Sequence, residues 1–228
     1  MALGGNPRLR RNTILSAVPG SMIRLMFEWG GVHFRNDMPV NDSAGIIQVL
    51  GRVACMDASG APIAVPGRRT RELVAALATT PGQPISRDRL VGLIWPDSTE
   101  RAARKALNTE LWRFRKDLRT AGADPDIWVE SGAETIRLAP SPAVRLDLVR
   151  FLSGIDGAAD DPEAWVGALS HYNGDFAEDL DAPWIAEERR ALRKRYIEAL
   201  RATVAAWMSV AQLREAIRYA ERLVLEEP

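Results

Sequence analysis

The sequence predicts a mixed fold: an α+β winged helix-turn-helix domain followed by an all-α domain. Between residues 46 and 140, short β-rich runs precede three amphipathic helical stretches, and a second β-rich pair closes the segment. Beyond Pro140-Ser141-Pro142 every periodic stretch is helical. A chain of 228 residues, 46% apolar and 26% charged, has room for both cores.

Residues 1–45 hold neither period for long and carry Gly4-Gly5, Pro19-Gly20 and Gly30-Gly31. They read as a loosely ordered extension with one short strand near residues 23–27. Arg8, Arg10 and Arg11 ahead of the apolar run 13–18 imitate a secretory leader, but Pro19-Gly20 cuts the run short. The single cysteine, Cys55, has no internal disulfide partner, so a reducing cytoplasm is the expected location. No apolar run reaches membrane-spanning length.

Order begins at Ile46. Ile46-Ile47-Gln48-Val49-Leu50 is β-rich, and the turn signal Asp57-Ala58-Ser59-Gly60 leads into Ile63-Ala64-Val65. Residues 71–79 form a helix with Leu73, Ala76 and Leu77 on one face, stopped by Pro81-Gly82. Ser86 caps the next helix, with Ile85 and Leu90 as a hydrophobic staple, and Pro96 ends it at Trp95. A third helix starts at Ser98 or Thr99 and runs to Thr120, before Gly122. Residues 127–130 and 135–138 make a hairpin around Ser131-Gly132-Ala133, which is the wing. The boundary at 140–142 separates the winged helix (46–140) from the helical domain (141–228). Helices follow at 147–155, 162–172, 183–208 and 211–226.

The third helix carries the charge pattern that bears on function. At about 100° per residue, Ala103, Leu107, Leu111, Phe114 and Leu118 fall within about 80° of arc and form a core stripe. Arg101, Lys105, Asn108, Trp112, Lys116 and Arg119 share another sector, and Glu110 and Asp117 lie on the flank away from it. Residues 101–119 hold seven cations and two acids, whereas 141–228 hold eleven cations against sixteen acids. A major-groove helix needs cations for phosphates and planar donors for base edges; Arg and Lys suit guanine, and Asn suits adenine. The DNA-binding candidates on this face are Arg101, Lys105, Asn108, Trp112, Lys116 and Arg119, with Arg104, Thr109 and Arg113 beside them on the same helix, and the family resemblance given below adds Arg115. A solvated face of an ordinary amphipathic helix is the plainer alternative; the three-helix context and Trp112 count against it.

These residues carry a family resemblance. Pro81-Gly82-Gln83-Pro84-Ile85-Ser86-Arg87-Asp88-Arg89-Leu90 with Leu93-Ile94-Trp95-Pro96 resembles the SARP (antibiotic regulatory protein) activators of bacteria. Ala106-Leu107-Asn108 and Leu111-Trp112-Arg113-Phe114-Arg115-Lys116-Asp117-Leu118 are similar to that family's recognition helix, which implies that Asn108, Trp112, Arg113 and Arg115 lie at or near DNA. Leu146-Asp147-Leu148-Val149-Arg150-Phe151, then Leu169-Ser170-His171-Tyr172-Asn173-Gly174-Asp175-Phe176, resemble the family's bacterial transcriptional activator domain. The resemblance implies double-stranded DNA as partner, and RNA polymerase or a second copy of the chain at the helical domain. Two departures stand out. The wing, Glu130-Ser131-Gly132-Ala133-Glu134, is acidic at both shoulders, leaving Arg137 as its one cation, and the chain stops at Glu226-Glu227-Pro228 where the family's helical domain is longer.

Residues 197–228 resemble one tetratricopeptide unit, with Ala216, Ala220 and Pro228 at matching positions, incomplete at the C-terminus. One repeat cannot bury both faces, so the expectation is either further repeats or a partner over the last helix. The acidic balance assigns this half to protein contact. Leu192, Tyr196, Leu200, Thr203 and Trp207 read as core, and the basic run from Arg189 to Arg195 as a solvated face.

No enzyme is expected: the sequence has no P-loop, nucleophile elbow or His-Glu-x-x-His. No cofactor or metal is expected either, because His33 and His171 lie far apart and no Cys/His cluster has zinc spacing. His171 near Asp175 reads as a helix-end residue. The rival to a DNA-reading activator is a helical adaptor whose winged helix no longer reads sequence, a reading motivated by the acidic wing.

Overall fold

The computed structural model describes residues 44–139 and 143–227. The extension read at 1–45, with its strand near 23–27, and the boundary at 140–142 lie outside the described residues, save Ala44 and Gly45.

Alternation of buried and half-exposed residues builds the first sheet. Strand β1 (Gly45–Gln48) pairs antiparallel with β2 (Ala54–Asp57), which places Ile47 opposite Cys55, and β2 pairs with β3 (Pro62–Ile63). Gly45 is required by close approach. A Cβ there would sit 2.3 Å from the Trp128 ring and 2.6 Å from the Met56 carbonyl oxygen, and Trp128 is fully buried. The turn joining β2 to β3 is held by Asp57, whose side chain accepts from the backbone N–H groups of Ser59 and Ala61.

Helix α1 (Arg68–Ala78) buries Leu73, Ala76 and Leu77, as their spacing requires. It begins three residues earlier than the periodicity suggests, and Arg68 and Arg69 pair forward with Glu72 across that added first turn. Strand β4 (Ile85–Ser86) leads into α2 (Arg87–Ile94), where Ser86 Oγ accepts the Arg89 N–H at 3.2 Å. Helix α3 (Glu100–Thr120) ends before Gly122, whose φ of +78° is left-handed. Ile127, read as a strand residue, instead ends a 3-10 turn (Pro125–Ile127) capped by Asp124; Pro125 fixes the φ that starts it. The hairpin is then β5 (Val129–Ser131) with β6 (Thr135–Leu138), and β6 also pairs with β4.

Strand β7 (Val144–Leu146) lies parallel to β1, completing the sheet order β3-β2-β1-β7. It runs directly into α4 (Asp147–Gly157), followed by α5 (Pro162–Leu169), α6 (Pro183–Ser209) and α7 (Leu213–Glu226). Helix α5 stops three residues short of the expected 172. Tyr172 leaves the helix to stack on Tyr196, ring centroids 4.0 Å apart and planes nearly parallel.

The segment after Gly174 adds to the first half. Ala177 N–H donates to Val49 O at 2.8 Å, and Gly51 N–H donates to Asp175 O at 3.0 Å. One hydrophobic core consequently runs from Ile47 and Leu50 through Phe151 and Phe176 to Tyr196. Helix α7 packs on α6 through Ala216 and Tyr219, leaving Leu213, Ile217, Val224 and Leu225 exposed.

Candidate nucleic-acid interface

The buried stripe of α3 decides which face it shows. Ala103, Leu107, Leu111, Phe114 and Leu118 are all buried, packed toward α1 and α2. Glu110 is buried beside them, accepting a hydrogen bond from Thr70 Oγ1 at 2.6 Å and pairing with Arg113 at 2.5 Å. With that stripe inward, Arg101, Lys105, Asn108, Thr109, Trp112, Arg113, Lys116 and Arg119 are all exposed. Trp112 is 57% exposed, and Lys116 Nζ lies 5.3 Å from its ring centroid. More than half of this large ring therefore faces solvent among cations.

The other two residues of the set lie differently. Arg104 is half-buried between Asp88, at 2.5 Å, and Glu100, at 3.1 Å, and ties α3 to α2. Arg115 is half-buried, donating to Val129 O at 3.0 Å and pairing with Asp126, whose carboxyl it holds below the usual range. Both guanidinium groups are engaged in joining elements of the domain.

The sequence reading missed Arg87. Its backbone N–H donates to Glu134 O, and its guanidinium donates to Ser131 Oγ at 2.8 Å, Gly132 O at 3.0 Å and Asn108 Oδ1 at 2.7 Å. This one side chain joins α2, the wing turn and the middle of α3. Its partners are 21 to 45 residues away, so no local pattern around Ser86 could reveal it. Arg87, Asn108 and Trp112, with Glu130 and Ser131 opposite, line a cleft of about 690 Å³ between α3 and the wing.

The wing is acidic as read. Glu130 and Glu134 are exposed, and Arg137 is paired with Glu130 at 2.6 Å. Elsewhere, burial pushes the Cys55 thiol up to about 12, which leaves it unreactive, and burial lowers the His171 pKa, helped by Arg150. Among the described residues no group of three or more His, Cys, Asp or Glu could hold a metal ion, and no helix is long and apolar enough to cross a membrane.

Fold and interface define a mixed α+β winged-helix architecture with a helical half packed against it. Residues 148–228 match the family model of the bacterial transcriptional activator domain. Among solved structures the chain is similar to Mycobacterium tuberculosis EmbR, determined in complex with a low-affinity phosphopeptide. The identity is 23%, the TM-score 0.70, and the match covers 81% of this chain and 51% of EmbR, so the likeness is one of fold. The chain spans about half of EmbR's length. No curated protein matches the sequence. The domain match covers residues 148–228 and is to a domain of transcriptional activators, and the likeness to EmbR adds the shared fold.

Proposed function

We propose that the protein is a sequence-specific, cytoplasmic DNA-binding activator of transcription, with α3 in the major groove of double-stranded DNA. The observation that carries this reading is the sorting on α3. Eight of the ten residues read from the sequence are exposed together on its outer side, away from the buried stripe. Arg101, Lys105, Lys116 and Arg119 meet phosphates, while Asn108, Thr109, Trp112 and Arg113 face base edges. Arg104 and Arg115 act by positioning α3 against α2 and β5.

The helical half makes protein contacts, with RNA polymerase or with a second copy of the chain. Residues 197–228 act there as a tetratricopeptide-like unit, and the exposed Leu213, Ile217 and Val224 on α7 agree with such a stacking element. The domain match is to regulators and not to an enzyme family, which supports a role without catalysis.

A second reading, the adaptor, is favoured by the wing alone, where Glu130 holds the wing's single cation. Selection of bound duplexes from a random pool decides between the two. Enrichment of a shared site supports the activator. Recovery of unrelated sequences, at the affinity of bulk DNA, supports the adaptor.

A further inference from the structure

We infer that Arg87 determines which base Asn108 reads: the pair presents donors only, and it selects guanine over adenine. This rests on the proposed placement of α3 in the major groove.

Arginine carries five N–H donors and no acceptor. The Asn108 atom 2.7 Å from Arg87 Nη1 is therefore the amide oxygen, and the NH₂ group is turned away from Arg87, with no hydrogen-bond partner among the described residues. Asparagine ordinarily reads adenine by accepting from N6 while donating to N7. That mode needs Oδ1 aimed at the base. Here Oδ1 is held by a cation, and an incoming N6 amino group would meet the positive guanidinium. Guanine presents N7 and O6, both acceptors, side by side. The Asn108 NH₂ group and the remaining Nη1 hydrogen of Arg87 match that edge.

The arrangement is held from behind. Nε and Nη2 both donate to Gly132 O, at 3.1 and 3.0 Å, and Nη2 also donates to Ser131 Oγ. With the Arg87 backbone N–H on Glu134 O at 2.9 Å, the guanidinium is fixed by the wing turn. Turning the Asn108 amide over would set its NH₂ against a donor-only group and lose the bond. The acidic wing thus contributes to recognition through its backbone and Ser131, without its own side chains entering the DNA.

The test is site selection with the full chain, comparing wild type with Arg87→Ala, Arg87→Lys, Asn108→Ala and Asn108→Asp. The position read by the pair is the one where Asn108→Ala flattens the base preference. Wild type is expected to select guanine there, losing about tenfold or more in affinity on substitution by adenine. Arg87→Ala should admit adenine at that position and leave the others unchanged, whereas Arg87→Lys, which keeps a donor-only cation there, should retain part of the guanine preference. Asn108→Asp keeps an acceptor for Arg87 at an exposed position, so it should fold normally yet lose the guanine preference. A 7-deazaguanine at that position should weaken wild type and leave Asn108→Asp unaffected. Selection of adenine by wild type there, or an intact guanine preference in Arg87→Ala, overturns the inference while leaving the DNA-reading proposal standing. Absence of any preference at every position overturns both.

Discussion

The Asp147 carboxylate, in the first turn of α4, accepts the backbone N–H of Leu50 at 2.8 Å across 97 residues of sequence. It also accepts from Val49 N–H at 3.0 Å. Asp179 repeats the device, accepting the Val53 N–H at 2.9 Å and pairing with Arg71 of α1 at 3.0 Å. The winged helix and the helical half are therefore joined by buried and part-buried polar contacts as well as by a shared core.

That junction has a pH signature. Burial pushes the Asp147 carboxyl up from 3.8 to about 6, so the folded protein holds this proton more tightly than the unfolded chain does. The sign follows: its contribution to stability falls as pH rises from about 4 to about 6 and is level above that. The full effect is on the order of 3 kcal/mol, at about 1.4 kcal/mol per pKa unit. Denaturant melts of wild type and Asp147→Asn at several pH values should show the advantage of wild type shrinking over that range. A pH-independent difference would contradict the account.

Affinity should depend steeply on salt. Each phosphate contact contributes about 0.9 to the log–log slope, so replacing two of Arg101, Lys105, Lys116 and Arg119 by Ala should flatten it by about 1–2. Sequence preference should hardly change. An unaltered slope in the double variant would move the phosphate contacts off α3.

Phe114 and Leu107 are fully buried on the inner face of α3, opposite the proposed recognition face. Truncating either to Ala should cost about 2–5 kcal/mol through the cavity left behind, read by thermal or denaturant unfolding. A Phe114→Ala protein of wild-type stability would mean that α3 is rotated relative to the orientation described.

What local chemistry encodes was legible in the sequence. The stripe Ala103, Leu107, Leu111, Phe114 and Leu118 follows from the helical period, and the Ser86 cap from its side-chain oxygen, so the exposed face of α3 could be drawn before any coordinates. Contacts between distant residues were not legible. β7 is only three residues long and has no turn to announce it, since its partner β1 is parallel and about a hundred residues earlier. Arg104 and Arg115 looked like their exposed neighbours because helical phase cannot show Asp88 or Asp126 arriving from other elements. Arg87 escaped notice for the same reason, and with it the orientation of the Asn108 amide.

The central claim is that α3 reads base sequence, and the most direct measurement is an affinity ratio: the selected duplex over a scrambled duplex of equal length. Wild type should favour the selected duplex strongly. Asn108→Ala and Arg113→Ala should each reduce the ratio by about 1–3 kcal/mol while leaving binding to the scrambled duplex nearly unchanged. Arg113 is already held by Glu110 at 2.5 Å, which orients its guanidinium without burying it. A wild-type ratio near one, at salt where both duplexes still bind, would contradict the claim and leave the adaptor in its place.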